Sequence, residues 1–396
     1  MIRNQNIICI STQDWNSLWT RKQRFMRKFS RQDNKVLYIE SQPSFISLGI
    51  IKSDWKRFFR WLGGPQKRET NLYVGTLPLV LPFFQMFPIV NKINNWVILK
   101  ILRHWQKRLR INNPILWTYT PYSGYFIGKL GEKLAVYDCV DEFSVVKGLV
   151  KGKTIKRLEE ELIKKVNLVI VTHKNLLQSK KTLTKNIYLI SNAADIDHFK
   201  KTFFPGTPVA LEIKSIPKPI IGFLGSIQYW IDLDLIRFIA KARPDWSIVL
   251  VGPIGRLAKI DKIKNLKNVY LLGRRKYQNL PSYLKAFDVC INPYKIDEVA
   301  ENCSPLKLYE YLASGKPIVS VDMPEARKFE ELIEIGQNYS DFLKKIQKVL
   351  NHFPESSVGI EARTKEAKKN SWDSRFLELE KILENYFKVF NRENKK

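Results

Sequence analysis

Cysteine, histidine and methionine are scarce in this chain, at four of each among 396 residues. Cys9, Cys139, Cys290 and Cys303 are scattered, with no C-x-x-C spacing and no histidine cluster nearby, which argues against a disulfide framework and against a zinc site. His104, His173, His198 and His352 lie far apart and suggest neither a metal ligand set nor a catalytic triad. No apolar run reaches eighteen residues, and the one in MIRNQNIICIST is four residues long, too short for the core of a signal sequence. A cytoplasmic protein without a membrane span is expected. A G-x-G-x-x-G fingerprint is missing after the first apolar strand, so a dinucleotide at the N-terminus is not expected. Acids are also short: 38 Asp and Glu stand against 67 Lys and Arg, a formal charge of +29. That imbalance calls for an anionic partner, which charge alone leaves open among nucleic acid, an acidic membrane surface and phosphorylated ligands. No zinc-finger, helix-turn-helix or single-strand-binding motif supports the first of these.

What is present is an alternation of short apolar strands with helical stretches. Strands are expected at 6–11, 36–40, 115–120, 135–138, 167–172 and 187–191, and again at 220–225, 247–252, 269–273, 288–293 and 318–321. Such alternation gives an α/β protein with mostly parallel sheets and ligands at the carboxyl ends of the strands. The length suits two domains. The first covers 1–200 and the proline-rich stretch 201–217 reads as a linker. A second Rossmann-like domain covers 218–370, and 371–391 forms a long amphipathic helix.

The most informative stretch is Asn302 to Asp322, NCSPLKLYEYLASGKPIVSVD. Ser304 suits an N-cap and Pro305 the first helical position, with Gly315 and Pro317 ending the helix before a buried strand. Lys307 and Glu310 lie three residues apart and share one face with Ser314, while Leu308 and Leu312 point to the core. A cation, a carboxylate and a helix start with unpaired N–H groups thus meet where a phosphate could sit. The segment SPLKLYEYLASGKPIVS resembles the donor-site signature of retaining GT-B glycosyltransferases, most closely bacterial teichuronic-acid-type polysaccharide enzymes. The resemblance implies two Rossmann-like domains facing each other across a cleft, with the first holding the acceptor. It also implies that Glu310 binds the nucleotide ribose, and that Lys307 with the helix start at Ser304, Pro305 and Leu306 binds the diphosphate. The position where the family often has a second acid is Asn302 here, with Glu298 and Glu301 just upstream. SNAADIDHF, 191–199, is similar to the family's hinge, and the helix at 371–391 to the one that returns to the first domain.

Gly225 and Ser226 end the first strand of the second domain, where small residues let a ligand approach the backbone. The loop that follows, Ile227 to Trp230, carries no cation, so the diphosphate charge falls to Lys307 and to Arg274 at another strand end. Asp138, Asp141 and Glu142 crowd one strand end of the first domain. By resemblance Asp138 or Asp141 orients the acceptor hydroxyl, and the alternative is that these acids cap the next helix. Two D-x-D strings, Asp195–Asp197 and Asp232–Asp234, sit at the hinge and at a helix start, where capping accounts for them; no metal and no cofactor beyond the nucleotide-sugar substrate is expected. Residues 51–110 hold twelve Lys or Arg against two acids. There Trp55, Phe58, Phe59 and Leu62 fall at helical spacing with Lys56, Arg57 and Arg60 opposite, and Ile98, Ile101, Leu102, Trp105 and Leu109 repeat the pattern. Both read as basic amphipathic helices suited to an anionic bilayer; the second serves equally as a covering helix of the sheet. Asp14, Trp15, Trp55, Arg57 and Arg60 are placed on the acceptor or membrane side, the acceptor being a glycan or a polyprenyl-linked sugar at the inner face of the membrane. A non-catalytic, membrane-associated relative and a nucleic-acid-binding protein remain as alternatives.

Overall fold

The computed structural model describes residues 1–42, 54–81, 87–145, 152–352 and 357–393; the side chains of Trp55 and Lys56 lie outside what is described. The chain divides into two compact units, Met1–Ser191 with Phe376–Lys396, and Asn192–Arg375.

The first unit is built on an eight-stranded sheet. Its strands are β1 (Asn6–Ile10), β2 (Lys35–Ile39), β3 (Gln66–Glu69), β4 (Leu72–Gly75), β5 (Ile115–Thr118), β6 (Leu134–Cys139), β7 (Leu168–Val171) and β8 (Ile187–Leu189). The order is β3-β4-β2-β1-β5-β6-β7-β8, parallel throughout except for the antiparallel β3–β4 pair at one edge. Strands such as β5 and β7 are buried from end to end because a parallel strand covered on both faces has no solvent side. Helices α1 (Arg21–Arg31), α2 (Asp54–Leu62), α3 (Pro88–Arg108) and α4 (Gly152–Ile163) belong to this unit. From α3, Ile98, Leu102 and Trp105 pack with Leu37, Ile39 and Leu116, so the second basic stretch is a covering helix whose apolar stripe faces the sheet. The edge strand β3, sequence QKRE, carries no apolar signal; charge on an edge protects it from further pairing.

The second unit holds a six-stranded parallel sheet in the order β11-β10-β9-β12-β13-β14. These strands are β9 (Ile220–Leu224), β10 (Ser247–Val251), β11 (Val269–Gly273), β12 (Val289–Asn292), β13 (Ile318–Val321) and β14 (Glu334–Gly336). The segment 201–217, expected from its prolines to be a linker, packs within this unit. It forms short helices at Lys200–Phe203 and Leu211–Lys214, and Lys285 Nζ donates to the carbonyls of Phe204 (2.7 Å) and Thr207 (2.8 Å). Prolines there shape turns rather than a free tether.

Helix α5 (Leu306–Ala313) precedes β13, and α6 (Trp372–Glu393) ends the described chain. From its second turn α6 belongs to the first unit: Phe376 meets Phe29 edge-on at 4.8 Å, and Glu380 accepts the Ile2 N–H at 3.1 Å.

Candidate functional site

Three adjacent strands of the second unit have a glycine at their carboxyl end: Gly225 follows β9, Gly252 follows β10 and Gly273 closes β11. The Gly225 N–H donates to Val251 O and the Gly252 N–H to Gly273 O, each at 2.9 Å. Gly225 and Gly252 have φ of +152° and +155°, and a Cβ on Gly252 would stand 1.9 Å from Gly225 O. Side chains are therefore excluded from this shelf by both conformation and space.

Lys307 lies across the shelf. Its Cε would be 2.9 Å from a Cβ on Gly225, its Nζ donates to Tyr294 OH at 2.9 Å, and the ammonium stands 5.3 Å and 4.6 Å from the Phe223 and Tyr294 ring centroids. Burial pushes the Lys307 ammonium down to about 8, with Cys303 and the half-buried Glu310 opposing the drop. An anion arriving here meets a cation already stripped of most of its water. One consequence is a pH dependence with a definite sign: the charged form prevails below pH 8 and is lost above it. The dissociation constant of an anion held by this ammonium is expected to rise about tenfold between pH 7 and pH 9 and to stay flat in Lys307→Met, as measured by calorimetric titration across pH.

The α5 start differs by one residue from the sequence expectation. Pro305 is the N-cap and Leu306 the first helical residue; Ser304 caps nothing. The reason is Glu325, fully buried, which accepts the Ser304 hydroxyl at 3.0 Å and the Tyr309 hydroxyl, and takes Lys328 Nζ at 2.6 Å. Asn192 adds a bond to the Ser304 carbonyl at 2.7 Å. Ser304 thus anchors the helix start from below. At the other end Gly315 adopts φ +59°, as a helix stop before Pro317 requires. Ser314 is buried and donates to Tyr311 O at 2.8 Å.

The loop after β9 is fastened on both sides, by a bridge from Ile227 to Ile254 and another from Ile231 to Tyr294. Ser226 accepts Gln228 Nε2 at 2.7 Å in that loop. Arg274 is exposed just past β11. Asn302 ends the short helix Glu298–Asn302 and donates to Glu298 O at 2.7 Å, a local use of its side chain. Sequence reasoning misses Tyr294 and Gly252; the Asn292-Pro293-Tyr294 string at a strand end and the glycine at each of three strand ends are the signals that could find them. Tyr277 stacks on His198, the ring centroids 4.1 Å apart.

In the first unit Asp138 is wholly buried at the end of β6, bound to Arg21 Nε at 2.8 Å. Arg21 also donates to Ile190 O at 2.7 Å. Asp141 is exposed, and Lys22 lies in its field: burial lowers the Lys22 ammonium, with Asp141 and then Asp138 opposing. Glu142 pairs with Lys180 at 2.9 Å.

Helix α2 turns two of its basic residues inward and leaves part of its apolar side exposed. Arg57 reaches inward to Asp14 at 3.1 Å and Arg60 to Glu40 at 3.6 Å, while Phe59 and Leu62 are exposed. The buried Glu40 and the half-buried Asp14 draw the arginines in, a pull no helical period encodes. Trp15 is buried against Trp19 and Tyr38, its backbone N–H donating to Glu40 Oε1 at 3.0 Å. Beside this network lies a cavity of about 220 Å³ lined by residues including Ser11, Glu40, Asn95, Ile98 and Thr120. Thr120 Oγ1 is buried with no hydrogen-bond partner among the described residues.

The acids of both D-x-D strings make local contacts. Asp195 and Asp232 cap helices, while Asp197 pairs with Lys200 and Asp234 with Lys262.

Residues 218–352 match the family model described as Glycosyl transferases group 1. The chain is 25% identical over 264 residues to a protein of Bacillus subtilis (strain 168) named as a teichuronic acid biosynthesis glycosyltransferase, TuaH. That alignment takes in 62% of this chain and 66% of the relative, just under two thirds of its length. Among solved structures, the sucrose-phosphate synthase of Thermosynechococcus elongatus superposes with TM-score 0.75 at 13% identity, covering 98% of this chain and 100% of the other. HepE of Anabaena, solved in complex with UDP-glucose, superposes with TM-score 0.64 at 12% identity, covering 96% and 100%. The fold is GT-B.

Proposed function

We propose, from the premise that this chain carries a Glycosyl transferases group 1 domain on a GT-B fold, that it transfers a sugar from a nucleoside diphosphate donor to a glycan or lipid-linked acceptor in cell-surface polysaccharide synthesis. The observation that carries this reading is Lys307, a buried lysine laid over Gly225 at the carboxyl end of β9. Departure of the nucleoside diphosphate adds one negative charge to a leaving group that is already anionic, and a preorganised cation beside a helix start stabilises that charge. Glu310, one turn on, takes the ribose hydroxyls. Transfer proceeds with retention of the anomeric configuration and without a divalent metal. Supporting the latter, the D-x-D acids are engaged as caps and ion pairs. Asp141, which is exposed, is the acid available to an acceptor hydroxyl, since Arg21 closes off Asp138. The cavity at Ser11, Glu40 and Thr120 receives the acceptor sugar. The enzyme works at the inner face of the membrane.

Titration with UDP and with GDP tests the donor side. One of them is expected to bind, and Glu310→Ala to weaken it by about 10- to 100-fold, the range for a hydrogen bond to a charged group. No binding of either would turn the reading toward a non-catalytic relative.

A further inference from the structure

Helix α3 is amphipathic in opposite senses along its length. Over its second half the apolar side faces the sheet. Over its first half the buried positions are Asn94 and Asn95. Asn94 accepts the Leu81 N–H at 2.9 Å and donates to Leu81 O at 3.0 Å, and Asn95 donates to Asn91 Oδ1 at 3.1 Å. The apolar residues point out instead: Ile89 is 66% exposed, Ile93 47%, Trp96 52% and Val97 39%. Their spacing of i, i+4, i+7 and i+8 makes one stripe, and Phe87, also exposed, extends it past the helix start.

The same outward face changes character beyond Trp96. Lys100, Arg103, His104 and Lys107 are all exposed there, and Lys100 Nζ stands 3.7 Å from the Trp96 ring centroid. On one flank of the stripe Lys92 joins Arg157 and Lys165 around a cavity of about 300 Å³. An exposed apolar stripe with an aromatic at its end and cations beyond it is the arrangement of an interfacial helix: rings and branched chains among acyl groups, long basic side chains reaching phosphates.

We propose that the first half of α3 inserts into the headgroup and acyl boundary of a bilayer containing anionic lipid. A second copy of the chain is the weaker occupant, because pairing would bring two +29 charges together, whereas an anionic bilayer gains from both stripe and cations. The opposite side of the helix contributes Asn95, Ile98 and Leu102 to the 220 Å³ cavity. That cavity therefore lies about one helix diameter, roughly 10 Å, from the lipid surface, where the sugar head of a membrane-anchored acceptor would be presented. Only this last step rests on the transferase reading; the insertion itself does not.

Flotation with phosphatidylglycerol–phosphatidylcholine vesicles, and with phosphatidylcholine alone, tests it. The wild-type chain is expected to float with the anionic vesicles, and Ile93→Ser/Trp96→Ser to lose at least about tenfold in partition. Lys92→Gln/Lys100→Gln is expected to lose less, and the wild-type partition to fall with salt. Because all four side chains are exposed, thermal unfolding and UDP titration should be unchanged in these variants. Equal partition of wild type and the Ile93/Trp96 variant overturns the proposal, as does absence from both vesicle types. A wild-type dimer in solution that the same variant dissociates also overturns it, by assigning the stripe to a second copy. Partition retained in a chain that binds no nucleotide would sink the donor reading and support this one.

Discussion

Lys307→Met is expected to lower kcat/KM for sugar transfer by about 10²- to 10³-fold, the usual cost of removing one preorganised donor from developing negative charge. Thermal stability should not fall with it. The ammonium is buried and its proton affinity depressed, so the folded chain holds this charge at a cost in free energy, and an apolar side chain of similar length removes that cost. The sign follows from linkage: with the folded value near 8 and the ordinary lysine value at 10.5, the unfolded chain binds the proton more tightly, so wild-type stability rises as pH climbs between them. Methionine abolishes that rise. Activity lost while stability is kept or gained separates a group held for the reaction from one held for the fold. Parallel initial-rate and thermal-melt measurements on the two proteins decide it, and an active Lys307→Met would remove the central element of the proposed function.

Lys307→Arg makes a useful companion. A guanidinium stays charged at any pH the protein tolerates, so the loss of affinity above pH 8 should vanish. The planar head is also wider than an ammonium, in a space closed by Phe223, Tyr294 and the Gly225 backbone.

Much of this arrangement is legible in the amino-acid sequence. The buried strands stand out because parallel strands covered on both faces become short, nearly continuous apolar runs, as in Ser247–Val251. The end of α5 follows from Gly315 and Pro317. What the sequence misleads on is decided by partners far off in the chain. Ser304 reads as a cap in any local window, but Glu325, 21 residues on, takes its hydroxyl. Arg57 and Arg60 read as the basic side of a helix meeting an anionic bilayer, and no local window shows that Asp14 and Glu40 pair with them. The first half of α3 is hidden for a related reason: prolines at 82 and 88 break the apolar stretch, and two buried asparagines give no hint that the branched residues beside them face outward. Periodicity tells which residues share a side; it does not tell what that side meets.

The same distinction governs Asp138, a residue the sequence offers as catalytic and the fold surrounds completely. Arg21, 117 residues earlier, is as deeply buried, and its Nε closes a 2.8 Å bond to the carboxylate while Nη1 holds Ile190 O. The Nε–Oδ2 bond is the one ion pair that either charge makes among the described residues. Breaking such a pair from one side strands the remaining charge in a poorly polarisable site. Arg21→Met is accordingly expected to destabilise the protein by about 3–5 kcal/mol in denaturant unfolding. Arg21→Met/Asp138→Asn should recover a large part of this, because neither residue then carries an unpaired charge. A structural pair predicts that Asp138→Asn loses stability and that the double variant regains activity along with it. A catalytic Asp138 predicts an inactive double variant that is nonetheless well folded, and that result would restore Asp138 to the reaction in place of Asp141.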